Sequence, residues 1–181
     1  MSRAWRLGPR LREEPVDPEA FAAEVDRLLE EITTARSQPA KLLAMLGEAA
    51  PLLRIAGRLE DSRKTAAAAI ALAELVEDPL AAFRNRLALA QVMQREGRFE
   101  LATPLFDQLI VQSRSSPRLS AYLHDVLFSA GVNLFDQGRI AEAARCFRES
   151  QSLRRAANLD ELLEMSAEAL RQTDSRASTP R

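Results

Sequence analysis

The sequence predicts an all-α protein built from repeated helical hairpins, and three observations support this fold class. Ala, Leu, Arg, Glu and Lys account for 100 of the 181 residues, a composition typical of long helices. Only 18 residues are Val, Ile or Thr, which are the residues that favour strands. Helix-breaking residues recur at a spacing of roughly 40 residues, which is typical of a solenoid of helical hairpins.

The helix breakers form two interleaved series. Prolines at expected helix starts make up the first series, Pro39, Pro79 and Pro117. Glycines between expected helices make up the second series, Gly57, Gly97 and Gly138. A coiled coil would lack such stops, because its apolar seam needs uninterrupted helix. Each repeat is therefore predicted to be a helix, a short glycine turn and a second helix.

The elements follow in chain order from these breakers. Residues 1–16 contain Gly8, Pro9 and Pro15, and we expect an irregular Arg-rich tail there. Asp17 and Pro18 then form a strong helix start, since Asp caps free N–H groups and Pro fits the first turn. We expect eight helices, at 18–36, 40–56, 59–77, 80–96, 99–114, 118–136, 140–156 and 160–172.

We expect one domain over residues 17–172, with repeats near 40–77, 80–116 and 118–156. The helices at 18–36 and 160–172 are expected to cap the exposed ends of the array, and residues 173–181 to form a disordered tail. Pro51 and Pro104 lie inside expected helices and should kink them, so helix 40–56 is expected to bend or break near Ala50.

Counted from each glycine, small and large side chains recur at fixed positions. Small residues stand seven before and five after, at Ala50, Ala90, Gly131, Ser62, Ala102 and Ala143. Large apolar residues stand four before, at Leu53, Met93 and Leu134, and nine after in two repeats, at Phe106 and Phe147. Helices cross closely only where one presents small side chains and the other large ones, so we expect closely packed hairpins.

This pattern resembles the tetratricopeptide repeat (TPR) family. Residues 130–150, AGVNLFDQGRIAEAARCFRES, resemble it best, followed by 90–109 and a degenerate copy at 50–69. The period of 40–41 residues resembles the TPR variants with longer helices rather than the common 34-residue form. The resemblance implies a right-handed superhelix that binds a peptide or small domain on a concave face lined by the first helix of each pair.

Transferring the family's phase to this sequence gives a set of implied partner-binding residues. They are Arg54, Arg84, Leu87, Gln91, Gln94, Arg95, Phe128, Val132 and Phe135. Some chaperone-binding TPRs use Lys and Asn to clamp a terminal carboxylate, and neither residue stands at these positions. We therefore do not expect that particular clamp.

Two features each allow more than one interpretation. Phe128, Val132 and Phe135 form a second apolar stripe on helix 118–136, which either packs against helix 160–172 or a bent neighbour or anchors a partner helix. Trp5 lies among Arg3, Arg6, Arg10 and Arg12. This tail is either disordered, or folded with Trp5 as its anchor into the chain's own groove or a neighbour's, or in weak contact with a nucleic-acid backbone.

The sequence offers little for catalysis. His124 and Ser120 are one helical turn apart, but Asp125 is expected to point elsewhere, and Cys146 is expected to be a small buried residue. Acidic pairs such as Glu13-Glu14, Glu30-Glu31 and Glu161/Glu164 are interpreted as solvated helix faces. We expect no enzyme activity, no cofactor and no metal site.

The predicted function is a non-enzymatic adaptor or scaffold that binds a protein or peptide; a chaperone or an immunity-type inhibitor would be special cases. The alternatives are a homo-oligomeric assembly protein and a regulatory domain with weak nucleic-acid contact through the tail. A net charge of −1 provides no field to attract nucleic acid or membranes. The lone cysteine and the lack of a signal-peptide pattern predict a cytoplasmic protein.

Overall fold

The computed structural model describes residues 4–178 and contains eight α-helices there, which confirms the all-α helical-repeat fold. The helices are α1 Pro18–Thr34, α2 Pro39–Ile55, α3 Leu59–Leu75, α4 Pro79–Arg95, α5 Phe99–Ser115, α6 Leu123–Asp136, α7 Ile140–Ala156 and α8 Asp160–Ala177. Two strands, β1 Trp5–Leu7 and β2 Glu13–Pro15, precede them, and short 3₁₀ turns occupy Pro9–Leu11 and Ser120–Tyr122. The TPR kinship and the right-handed superhelix stay predictions.

The chain divides into two compact units. Unit 1 comprises the described residues up to Gly8 together with Arg12–Arg98, and therefore holds both strands and α1 to α4. Unit 2 comprises Pro9–Leu11 and the described residues from Phe99 onward, and holds α5 to α8. Within each unit the helices pack chiefly against their neighbours in sequence. The single domain over 17–172 stays a prediction.

The N-terminal segment is an antiparallel hairpin, so the expectation of an irregular tail is wrong for residues 5–15. Trp5 pairs with Pro15, and Leu7 pairs with Glu13. The Gly8 N–H donates to the carbonyl oxygen of Arg12 over 2.7 Å. Gly and Pro break helices, but they also mark turns between short strands. Residues 1–3, including Arg3, lie outside the described part of the chain.

Helix starts follow the predicted caps with one exception. Asp17 accepts a hydrogen bond from the N–H of Ala20 over 3.0 Å, and prolines open α1, α2 and α4. The helix expected from residue 118 begins instead at Leu123, after the 3₁₀ turn. There the Ser120 hydroxyl donates to the Pro117 carbonyl oxygen over 2.9 Å, a local bond that competes with the α-helical pattern.

The repeat glycines end their helices in the left-handed conformation, with φ values of 78°, 75° and 77°. At Gly97 the N–H donates to the carbonyl oxygen of Gln94, and the next N–H donates to that of Met93. This arrangement satisfies carbonyl groups that a helix end would leave unpaired. A positive φ, 55°, also occurs at Glu77 and Asn158, which follow the ends of α3 and α7 where no glycine is present.

Unit 1 contains a close helix crossing at the predicted phase. The Ser62 hydroxyl on α3 donates to the Ala50 carbonyl oxygen on α2 over 2.6 Å. Ala50 and Ala66 are both fully buried in one cluster. Pro51 lies inside an uninterrupted α2, so the break expected near Ala50 does not occur. α5 likewise continues through Pro104.

Unit 2 contains a second close crossing. A Cβ atom placed on Gly131 of α6 would lie 2.5 Å from the Phe147 ring on α7, so only glycine fits there. α8 extends five residues beyond the expected end, and Thr173 in its last turns is buried. The disordered tail expected from residue 173 is therefore wrong as far as Ala177, while residues 179–181 lie outside the described residues.

Candidate functional site

A largely buried ion pair joins the hairpin to α2 in unit 1. Arg54 donates from both terminal nitrogens to the carboxylate of Glu13; Nη2 lies 3.0 Å from Oε1, and Nη1 is bonded to Oε2. The side chains are only 6% and 21% exposed, respectively. A two-pronged guanidinium–carboxylate pair with this burial is geometrically specific. One predicted partner-binding residue is thus already bound to a carboxylate of its own chain.

The charges around Glu13 favour its ionised form. Burial of the carboxyl group would by itself raise its pKa. The charge and hydrogen bonds of Arg54, together with the charge of Arg95, outweigh burial, so the pKa of Glu13 lies below its usual value. Two arginines of the predicted partner-binding set therefore act on the same carboxylate.

Trp5 provides an apolar contact beside this ion pair. Its side chain packs, partly buried, against a buried cluster contributed by α1 and α2. The cluster consists of Phe21, Val25, Ala49, Leu53 and Ile55. We call this cluster together with Arg54 the hairpin face. Of the interpretations considered for the tail, this contact matches the one in which Trp5 anchors it to its own chain.

The other predicted residues of unit 1 lie on α4 and differ in exposure. Arg84 is exposed, Leu87, Gln91 and Arg95 are partly exposed, and Gln94 is buried. α4 packs against α2 as well as against α3. The first helices of the first two predicted pairs are therefore direct neighbours.

The predicted apolar stripe of unit 2 is core, and the hypothesis that it is an exposed anchor site is wrong. Phe128, Val132 and Phe135 are 8%, 8% and 3% exposed. Arg154 of α7 lies over the Phe128 ring at 4.5 Å, and Arg176 of α8 lies over the Phe135 ring at 4.6 Å. A helix with neighbours on most sides is apolar around most of its circumference, so the surplus of apolar residues reflects packing.

A buried arginine that sequence reasoning missed connects three helices of unit 2. Arg154 is 1% exposed. Its guanidinium donates to the Leu162 carbonyl oxygen over 3.0 Å, the Ser166 hydroxyl over 2.9 Å and Asp125 over 3.2 Å. The available signal was its spacing: Arg154 follows Ala143, Phe147 and Ser150 at intervals of four, three and four residues, which places it on the buried face of α7.

The suspected Ser–His pair is not assembled. The Ser120 hydroxyl is bonded to Pro117, as described above. The Nδ1 atom of His124 lies 3.0 Å from Oδ1 of Asp125, so the expectation that Asp125 points elsewhere is wrong. Burial alone would raise the pKa of Asp125, but His124 and Arg154 outweigh it and lower that pKa. Burial raises the pKa of the Cys146 thiol, which disfavours a reactive thiolate.

Glu13 is the site residue that sequence reasoning misassigned, because the pair Glu13-Glu14 was interpreted as a solvated helix face. Glu13 instead faces α2, whereas a Cβ on Gly8 would lie 2.3 Å from the Glu14 carboxyl carbon, so Glu14 covers the turn. The signal available in the sequence was Gly8-Pro9 itself, since these residues mark turns between short strands as well as helix ends.

Within residues 4–178, no group of three or more His, Cys, Asp or Glu side chains is arranged to hold a metal ion. The helices of that same stretch are all too short or too polar to cross a membrane. No protein-family model matches the sequence, and no curated protein is significantly similar to it.

Proposed function

We propose that this protein is a non-enzymatic interaction protein of the TPR type, which binds an acidic segment of a protein partner on the face formed by α2 and α4 of unit 1. The observation that carries the proposal is the capture of the Glu13 carboxylate by Arg54. A surface that already holds a carboxylate by two hydrogen bonds and a nearby second arginine has the chemistry to bind such a group from a partner.

Three arginines favour an acidic ligand over a neutral one. Arg54 and Arg95 act on Glu13, and Arg84 is exposed at the first turns of the same α4. Guanidinium groups recognise carboxylates through planar, paired hydrogen bonds. The partner segment is therefore expected to carry Asp or Glu side chains.

The sequence features that suggested the two alternatives, homo-oligomerisation and nucleic-acid contact, are engaged in packing within the chain. The apolar stripe that would have driven homo-oligomerisation is buried within unit 2. Trp5, which would have stacked on nucleic-acid bases, packs against α1 and α2. These two observations favour protein binding over the alternatives as the function we propose.

Affinity capture from the native host tests this proposal. The full chain is compared with a double variant, Arg84→Glu with Arg95→Glu, and with a matched charge reversal on exposed residues of unit 2, Arg145→Glu with Arg171→Glu. We expect the first variant to lose its specific partners at least about tenfold, as removal of charge-assisted hydrogen bonds implies. The control should retain them. Equal capture by all three proteins, with helicity unchanged, would contradict the proposal.

A further inference from the structure

We infer that the hairpin face is a receptor for an extended segment carrying an aromatic residue and a carboxylate, and that residues 5–15 are its resting occupant. A partner segment of the same chemistry binds by displacing the hairpin. This inference rests on the proposed function and adds to it the identity of the competing ligand.

The two strands contact the helices of unit 1 through two chemically different anchors, and Leu11 in the turn, which belongs to unit 2, is itself buried. Trp5 on β1 packs against the apolar cluster, and Glu13 on β2 binds Arg54. The strands are paired, so the aromatic group and the carboxylate are held at a fixed separation. A ligand that supplies both groups in an extended conformation would satisfy both halves of the hairpin face.

The face retains an unused donor. The Nε atom of Arg54 is buried and has no hydrogen-bond acceptor within residues 4–178. Leaving such a donor unpaired is costly, so the hairpin satisfies Arg54 only in part. A partner that contributes one more oxygen would therefore have an advantage over the hairpin at this residue.

The pairing of the two strands is internal to the segment. Two hydrogen bonds near its ends, from Gly8 to Arg12 over 2.7 Å and from Val16 to Ala4 over 3.0 Å, lie within the segment itself. An isolated two-stranded hairpin is marginally stable in water, so its order depends on docking. Because the tether keeps it near the face, it competes at an effective concentration in the millimolar range, and the apparent affinity of a partner falls accordingly.

The first experiment uses the intact chain and a labelled synthetic peptide of residues 1–16. Fluorescence anisotropy is measured with the wild-type chain and with the chain carrying Glu13→Gln. This substitution weakens the contact of the chain's own hairpin with Arg54. The Glu13→Gln chain should bind the wild-type peptide at least about tenfold more tightly than the wild-type chain does. The matched control, Glu14→Gln, removes the same charge one residue away and should stay within about twofold of wild type.

A further comparison places the Glu13→Gln substitution in the peptide as well as in the chain. A Glu13→Gln peptide should bind the Glu13→Gln chain at least about tenfold more weakly than the wild-type peptide does, because Arg54 then meets no carboxylate. Equal binding of both peptides, or no binding of either, overturns the inference. That outcome leaves the proposed function standing if the capture experiment still depends on Arg84 and Arg95.

A second experiment does not depend on a substitution in the hairpin. A protease site is inserted between Val16 and Asp17, where Val16 is 62% exposed, in the otherwise full chain. After cleavage, the released residues 1–16 should remain bound at low concentration and be displaced by excess wild-type peptide. Immediate loss of the fragment from a protein that keeps its helicity would overturn the inference.

Discussion

Replacing Gly131 with Ala should destabilise the protein, although the same substitution normally stabilises a helix. The added Cβ would lie 2.5, 2.7 and 3.0 Å from three ring atoms of Phe147, whereas carbon atoms in favourable contact are about 3.5–4.0 Å apart. Phe147 is fully buried, so its ring has little room to move. Overpacking costs up to about 3 kcal/mol, and the gain in helix propensity is about 1 kcal/mol. We expect a net loss of about 2 kcal/mol.

Gly47 provides the matched control. It also lies inside a helix, but a Cβ there would lie 3.5 Å from its nearest neighbour, the Asn85 side chain, which is an ordinary contact. Gly47→Ala should therefore stabilise the protein by about 0.5–1 kcal/mol. Denaturant unfolding followed by circular dichroism measures both changes as shifts of the midpoint at constant slope. A Gly131→Ala variant as stable as wild type would refute the close crossing of α6 and α7.

Three further predictions concern single residues. Acidification through the lowered pKa of Glu13 should undock the hairpin. A carboxylate with a lowered folded-state pKa contributes stability that is fully present above its unfolded-state pKa and is lost as pH falls through the folded-state pKa. The emission of Trp5, the only tryptophan, reports this undocking, and Glu13→Gln should lack the acid step. Arg154→Met should lower the free energy of unfolding by about 2–3 kcal/mol, because it leaves buried hydrogen-bonding groups unpaired. Asp125→Asn changes a half-exposed partner of Arg154 and should lower it by less than about 1.5 kcal/mol. Equal losses in unfolding experiments would contradict the hydrogen-bond network around Arg154. Glu77→Gly should raise stability by about 0.5–1 kcal/mol by relieving a positive φ, which thermal unfolding measures; an unchanged midpoint would count against strain at Glu77.

The regular part of the fold was predictable because the chain repeats its own local signals. Gly97 and its equivalents end helices by a backbone requirement that acts within a few residues. The phase count from the glycines identified Gly131 as a small position and Phe147 as a large one, and the structure brings these two residues of different helices into contact. The sequence can indicate such a contact because a close crossing restricts the size of both side chains at once.

The candidate site was less predictable for two physical reasons. A three-residue strand carries too few residues to establish a period, so the pairing of Leu7 with Glu13 could not be separated from an irregular tail. Exposure of Phe128 and Phe135 depends on arginines that approach from α7 and α8, and the sequence of α6 contains no information about them. Arg54 was predicted to bind a partner, but its contact with Glu13 of the same chain was not predicted.

The coupling between Glu13 and Arg54 is the measurement that tests this account most directly. Hydrogen exchange of the amides in residues 5–15 gives the free energy of hairpin opening in wild type, Glu13→Gln, Arg54→Met and the double variant. We predict that the two single substitutions are coupled by about 1.5–3 kcal/mol, as for hydrogen bonds between charged groups. Additive effects, with no coupling, would contradict the claim that Arg54 holds the hairpin through Glu13.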